Sequence, residues 1–184
     1  MKKKIILNDD QLDTTLDRLA CQLTENHEDF KETILVGLQP RGKSLCEKLV
    51  SILSAKYNIK SVNYGFLDIT FFRDDFRRNK DVLLPNKNDF KLLVENKKVV
   101  FIDDVLYTGR TIRAALTAIE SFGRPKTIEL LILVDRRFSR ELPIQPDYKG
   151  LQVDVYENQK VNVKWNDNKH GNYVYIENLM NEKS

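Results

Sequence analysis

Apolar residues recur along this 184-residue chain with two different periods. Leu12, Leu16, Leu19, Ala20 and Leu23 fall at the three-and-four spacing of a helix with one buried stripe, and Asp9 or Asp10 can cap it, which predicts a helix over 9–26. Lys43 to Ala55 repeats the pattern with Leu45, Leu49, Ile52 and Leu53. A third helix-like run from Ile112 to Phe122 is stopped by Gly123-Arg124-Pro125. Between them lie short unbroken apolar runs, Thr33–Val36, Val99–Ile102 and Ile128–Val134, with a further strand within Ser61–Phe72. Unbroken runs suit strands buried on both faces. After Asp135 the texture changes: Pro143 and Pro146 punctuate a connection, and 151–156, 160–165 and 173–177 alternate like exposed antiparallel strands. This order predicts an α/β fold, with a central mainly parallel sheet flanked by helices and a small β-rich lobe, mainly 135–184, folded over it within a single 1–184 domain.

The chemistry concentrates in Val99 to Thr111, V-V-F-I-D-D-V-L-Y-T-G-R-T. Asp103 and Asp104 stand where a buried strand should end, the place at which open parallel sheets gather ligands. Paired carboxylates there can accept hydrogen bonds from sugar hydroxyls or hold Mg²⁺ through waters. In the loop Tyr107-Thr108-Gly109-Arg110-Thr111, glycine permits close backbone approach, while the Thr108 and Thr111 hydroxyls, free N–H groups and a helix start make an anion site. Acids for a polyol beside amides for a phosphate describe a sugar-phosphate site.

A second motif competes. Gly37-Leu38-Gln39-Pro40-Arg41-Gly42-Lys43-Ser44 matches the phosphate-binding pattern G-x-x-x-x-G-K-S between an expected strand and helix. It predicts a P-loop nucleoside triphosphatase that needs Lys43. Pro40 weakens that reading, because a P-loop wraps phosphate with consecutive backbone N–H groups and proline lacks one. The P-loop reading also leaves Tyr107–Thr111 without a role.

Composition adds bounds. With 41% hydrophobic and 31% charged residues the chain is an ordinary globular protein, and a net charge of +3 makes no case for nucleic acid by itself. Cys21 and Cys46 fall in expected helices and read as reduced thiols. Only Ile5-Ile6-Leu7 follows the basic Met1–Lys4 start, too short for a signal segment, and no apolar run reaches membrane length. The chain reads as cytoplasmic. Arg73 to Phe90 is polar and charged, too long for an ordinary connection, and reads as a functional flap or a disordered segment.

The segment D-D-V-L-Y-T-G-R-T resembles the phosphoribosyl-pyrophosphate motif of the type I phosphoribosyltransferases, and most of all their PyrR branch. The resemblance runs from about Leu7 to Gly150. It takes in Val36-Gly37 with Arg41-Gly42, Asp68-Ile69-Thr70 with Arg73-Asp74-Asp75, Leu133 to Arg136, and Arg140 to Ile144. It implies a sheet with a hood, a flexible catalytic loop at about 73–90, and phosphoribosyl pyrophosphate with Mg²⁺ as donor, the metal held through substrate. It implies a nucleobase acceptor and a homo-oligomer, relatives being dimers or tetramers. Leu38, Gln39, Pro40 and Arg41 become the pyrophosphate loop, with Arg73 as a second cation. Asp103 and Asp104 bind the ribose and stabilise a cationic sugar, and Tyr107 to Thr111 cradle the 5-phosphate. Asp135, Arg136, Val153 and Asp154 fall near the base.

Purine-specific relatives carry an acid where this chain has Tyr107, so the resemblance points to uracil and the product UMP. The hood departs from the family: Arg136-Arg137-Phe138-Ser139-Arg140 is longer by one residue and lacks its histidine, and Val153-Asp154-Val155 replaces an Ile-Pro-Thr-Ser-like segment. RNA-binding members present Thr, His and Arg where Asp17, Cys21 and Asn26 stand, and an Arg at Gln145; Arg18 alone survives. Losing cations and gaining an anion argues against tight RNA binding, since phosphate contacts supply most RNA affinity. A regulator that keeps the nucleotide site but reads RNA or senses UMP remains the third reading.

Overall fold

A computed structural model describes residues 3–70, 93–156, 158–167 and 171–179. The expected loop at 73–90, with Arg73, lies outside the described residues. In chain order the elements are β1 (Lys3–Leu7), α1 (Asp9–His27), β2 (Thr33–Gln39), α2 (Gly42–Tyr57), β3 (Asn63–Asp68), β4 (Lys98–Leu106), α3 (Arg110–Ile119), β5 (Thr127–Arg137), β6 (Tyr148–Asp154), β7 (Gln159–Asp167) and β8 (Gly171–Asn178). The central sheet has the order β3-β2-β4-β5-β6, every neighbouring pair parallel. A second sheet, β1-β8-β7, is antiparallel.

The unbroken apolar runs are strands covered on both faces. Alternate residues divide between two cores: Leu35, Val100, Ile102, Leu131 and Leu133 pack toward α1 and α2, while Ile34, Val36, Val99, Phe101, Leu130 and Ile132 pack toward α3. This is the physical origin of the missing alternation in the sequence. The small sheet joins the α1/α2 core through Leu7, Val161 and Val174.

Three details differ from the sequence reading. Residues 148–154 do not belong with the antiparallel strands; they pair parallel with β5, Leu131 opposite Tyr148 and Val134 opposite Leu151, and close the central sheet. Their alternation reflects an edge strand covered on one side only. The N-terminal strand β1 was not anticipated, because five residues, two of them lysines, carry too little pattern. The cap of α1 is Asn8, not Asp9 or Asp10: its side chain accepts from Gln11 N at 2.9 Å, and Gln11 Oε1 accepts from Asn8 N at 3.0 Å, a reciprocal capping box. Asp9 instead accepts from Asn172 N and Nδ2 at 2.8 and 3.0 Å, which ties the start of α1 to β8.

The turn leaving β2 closes in two residues, Pro40 and Arg41. Gly42 then lies so close to β4 that a Cβ would sit 2.1 Å from the Ile102 carbonyl oxygen, so any side chain is excluded. At the opposite, amino-terminal pole of the sheet the His27 side chain is fully buried. Its Nε2 lies 3.1 Å from Glu129 Oε2 and 3.2 Å from the Tyr148 hydroxyl, and its Nδ1 lies 3.0 Å from the Thr33 hydroxyl. The neutral ring with its proton on Nε2 satisfies these partners: Nε2–H donates to the carboxylate and Nδ1 accepts from Thr33. Tyr148 also donates to Glu129 at 2.6 Å. The cluster joins the end of α1 to the starts of β2, β5 and β6.

Burial pushes the His27 pKa below its ordinary value, against the opposing pull of Glu129. The unfolded chain therefore binds the proton more readily than the folded one, so this contribution to stability is full above pH 6.5 and is lost as pH falls through the lowered folded value. Urea unfolding between pH 7.5 and 5.5 should show stability declining with acidification, and a His27→Gln variant should show a flatter profile over the same range.

Candidate active site

The carboxyl ends of β2, β4 and β5 open on a cavity of about 510 Å³, roofed by Gln159, Lys160 and Val161 of β7 and by Leu179. Asp103 and Asp104 form its floor and are 7% and 5% exposed. Asp103 Oδ1 accepts from the Asp104 N–H at 3.0 Å, which orients the first carboxylate against its own backbone. Burial pushes the Asp104 carboxyl up from its ordinary value, while Arg41 and nearby backbone N–H groups hold it down. The sheet thus presents a desolvated acid beside a guanidinium, an arrangement that binds hydroxyls or cations strongly once water is displaced.

Of the expected pyrophosphate loop, Gln39, Pro40 and Arg41 line the cavity. Leu38 does not: it is 1% exposed and packs in the α3-side core, so only its backbone is near the site. The P-loop alternative fails on geometry. Gly37 is a strand residue paired with Phe66 and Ile102, so residues 37–39 cannot wrap a phosphate. Lys43 points away, its ammonium 4.9 Å from the Phe66 ring centre and 3.9 Å from Glu47.

In the expected phosphate loop, Tyr107 and Thr111 line the cavity. Gly109 has φ +94° and starts α3 without a side-chain cap, a conformation that favours glycine and leaves the helix's first N–H groups for another acceptor. The Arg110 side chain turns outward, its Nε donating to Glu141 at 2.7 Å, so its contribution to an anion site is limited to the backbone. Thr108 accepts at its carbonyl from Glu141 N and Leu142 N.

The expected base pocket is divided. Arg136 faces the cavity, is 5% exposed, and lays its guanidinium 3.9 Å above the Tyr107 ring. Its Nη2 donates to Tyr156 O at 3.4 Å, while Nε is buried without a hydrogen-bond partner among the described residues. Burial lowers the pKa of this guanidinium from its ordinary value. Asp135 lines a neighbouring cavity of about 400 Å³ and is held by Arg140 and, at 3.2 Å, by Gln152. Val153 and Asp154 line neither cavity. Val153 packs against the α1/α2 core, and Asp154 makes a surface pair with Arg137, because consecutive residues of β6 point to opposite faces. The roof residues Gln159, Lys160, Val161 and Leu179 were missed; alternation over 160–165 marked a strand but not which face would meet the sheet.

Among the described residues no group of three or more His, Cys, Asp or Glu is placed to hold a metal ion. Two buried carboxylates suit a hard, oxygen-seeking cation that completes its shell with substrate oxygens and water, which is the habit of Mg²⁺. No helix among the described residues is long and apolar enough to cross a membrane.

The family model for the phosphoribosyl transferase domain matches residues 4–168. A Thermoanaerobacter sp. (strain X514) protein named bifunctional protein PyrR is 42% identical over 161 residues, covering 88% of this chain and 89% of its own. The protein of the same name from Haemophilus ducreyi is 43% identical over 162 residues, with 88% and 89% covered. Among solved structures, a hypoxanthine-guanine phosphoribosyltransferase from Bacillus anthracis superposes with a TM-score of 0.67 at 16% identity, covering 98% of this chain and all of its own. A hypoxanthine phosphoribosyltransferase from Staphylococcus aureus gives 0.66 at 19% identity, with 97% and 93% covered. The chain belongs to the phosphoribosyltransferase family, and these relatives lie in the PyrR branch that its sequence resembles.

With Lys43 outside the cavity, Lys43→Ala should retain pyrophosphate-releasing activity within about threefold of the parent, as for a surface substitution remote from the chemistry. A loss of several orders of magnitude in a steady-state assay would restore the P-loop motif to the reaction.

Proposed function

We propose that this protein transfers the 5-phosphoribosyl group from phosphoribosyl pyrophosphate to uracil, giving UMP and pyrophosphate, as a cytoplasmic homo-oligomer. The observation that carries the reading is the meeting of Asp103, Asp104 and Arg41 with Tyr107 and Thr111 around one cavity. Uracil is favoured by the PyrR name of the relatives and by Tyr107 where purine-specific relatives carry an acid.

In this reading, bond breaking at the anomeric carbon runs ahead of bond making and leaves an oxocarbenium-like sugar. Little covalent chemistry is asked of the protein; positioning and charge stabilisation carry the rate. Asp103 and Asp104 accept from the ribose hydroxyls, and their buried charge faces the developing cation. The N–H groups of 108–111 hold the 5-phosphate, with the Thr108 and Thr111 hydroxyls beside them. Arg41, and Arg73 from the segment outside the described residues, bind the leaving pyrophosphate. Charge neutralisation at that pyrophosphate is what a bound Mg²⁺ supplies. Arg136, which lines the cavity, brings a guanidinium to a base carbonyl, and the Tyr107 ring offers a flat wall. Asp135 acts through its neighbours, and Val153 and Asp154 have no part.

Tight RNA binding is not part of the proposal. Arg18, the surviving cation of that face, spends its guanidinium on the Lys149 and Gly150 carbonyl oxygens, at 2.5 Å to the latter, and Asp17 pairs with Lys56. An RNA affinity that falls steeply with salt would favour the regulator instead.

Pyrophosphate release should be measured with donor and Mg²⁺ and with uracil, hypoxanthine, guanine, adenine and orotate separately. Release with uracil alone is expected; release with a purine would overturn the role given to Tyr107. Asp103→Asn and Asp104→Asn should each lower turnover roughly a hundredfold or more. Because burial disfavours the Asp104 charge, Asp104→Asn should melt at or above the parent temperature. Parental turnover in both variants would remove the acid pair from the mechanism.

A further inference from the structure

The connection between β5 and β6 does more than cross the end of the sheet. Arg140 Nη1 donates to the Tyr107 carbonyl oxygen at 2.6 Å, and its Nη2 donates to Asp135 Oδ1. The next two backbone N–H groups, of Glu141 and Leu142, both donate to the Thr108 carbonyl oxygen, at 3.0 and 3.3 Å. The Glu141 carboxylate accepts from Arg110 Nε at 2.7 Å. Leu142 and Ile144 close on Gly109, where a Cβ would meet their side chains at 3.4 and 3.3 Å. One short segment therefore holds four consecutive residues of the loop, 107 to 110.

The consequence follows from peptide geometry. In a trans peptide the C=O and the following N–H point in opposite directions. Fixing the Tyr107 and Thr108 carbonyls toward 140–142 turns the N–H groups of Thr108 and Gly109 away from that segment. Those are the donors an anion-binding loop must present. The loop has little of its own to enforce this: Gly109 gives α3 no side-chain cap, and Arg110 N reaches Thr108 Oγ1 only at 3.4 Å.

We propose that Arg140 is a positioning residue for the sugar-phosphate subsite: one guanidinium fixes the Tyr107 peptide and ties it to Asp135, so the loop's donors are held ready before the ligand arrives. The inference rests on the phosphoribosyltransferase reading of the cavity. Arg140 acts through the loop backbone, and its two donors, at fixed separation, bridge two acceptors that a shorter or single-donor side chain would not span.

The test separates the two phosphate subsites. Ribose 5-phosphate and pyrophosphate are titrated calorimetrically, with Mg²⁺ throughout, against the parent, Arg140→Leu and the double variant Arg140→Leu/Asp135→Asn. The double variant removes the buried carboxylate that Arg140→Leu alone would leave without its charge partner, and it carries the test if the single variant does not fold. Ribose 5-phosphate should bind roughly ten- to a hundredfold more weakly in both variants, with pyrophosphate affinity unchanged, because losing a charge-assisted bond loosens the loop and not the turn at 39–41. Recovery of ribose 5-phosphate affinity in the double variant would assign the effect to the carboxylate left without its charge partner and overturn the positioning role. Equal affinity in all three proteins, or a parallel loss of both ligands, would overturn it too. A parent protein that binds neither probe would overturn the phosphoribosyltransferase reading together with this inference.

Discussion

The side-by-side pairing of β2 and β4 sets the position of everything chemical in this molecule. Gly37 lies opposite Ile102, and the next turn is so tight that Gly42 rests on the Ile102 carbonyl with no room for a side chain. That contact fixes the start of α2 against β4 and brings Arg41 beside the acid that follows Ile102 by two residues. A bulkier residue at 42 would lift the turn from the strand and part the guanidinium from the carboxylate it compensates. The pairing of β4 with β5 then sets the second boundary, aligning Leu106 with Asp135 and bringing Arg136 over Tyr107.

The two poles of the sheet are built in opposite ways. At the amino-terminal pole, His27, Glu129, Tyr148 and Thr33 satisfy one another, and burial is compensated by hydrogen bonds. At the carboxyl-terminal pole, burial is left partly uncompensated: Arg136 Nε is buried with no hydrogen-bond partner among the described residues. Unrelieved desolvation of this kind costs stability and is what a binding site retains, because a ligand can relieve it.

The small sheet turns an open strand-end crevice into a cavity. β7 can serve as a roof because the β7–β8 pair is anchored at two places: Asp9, at the start of α1, bonds Asn172 of β8, and Val161 of β7 and Val174 of β8 enter the α1/α2 core. The same arrangement explains why the hood's contribution is carried by residues that no local motif marks. Lys160 and Gln159 matter for where their strand lies and not for the residues beside them in sequence.

What the sequence determined by itself was local. Unbroken apolar runs and helical stripes specified the layers, and a strand followed by two acids and a glycine loop pointed to a sugar-phosphate site, because both signals arise between residues within a few positions of one another. The tertiary structure alone decided three things. It put 37–39 inside a strand, which removed the P-loop although its residues fit the pattern, since pairing of Gly37 with two strands and of Leu38 and Gln39 with β3 left no loop to wrap a phosphate. It assigned β6 to the edge of the central sheet and turned Val153 to the core and Asp154 to the surface, because the face a strand residue occupies depends on register with a distant partner. It laid 140–144 along 107–110, a contact between segments about thirty residues apart that no local spacing encodes.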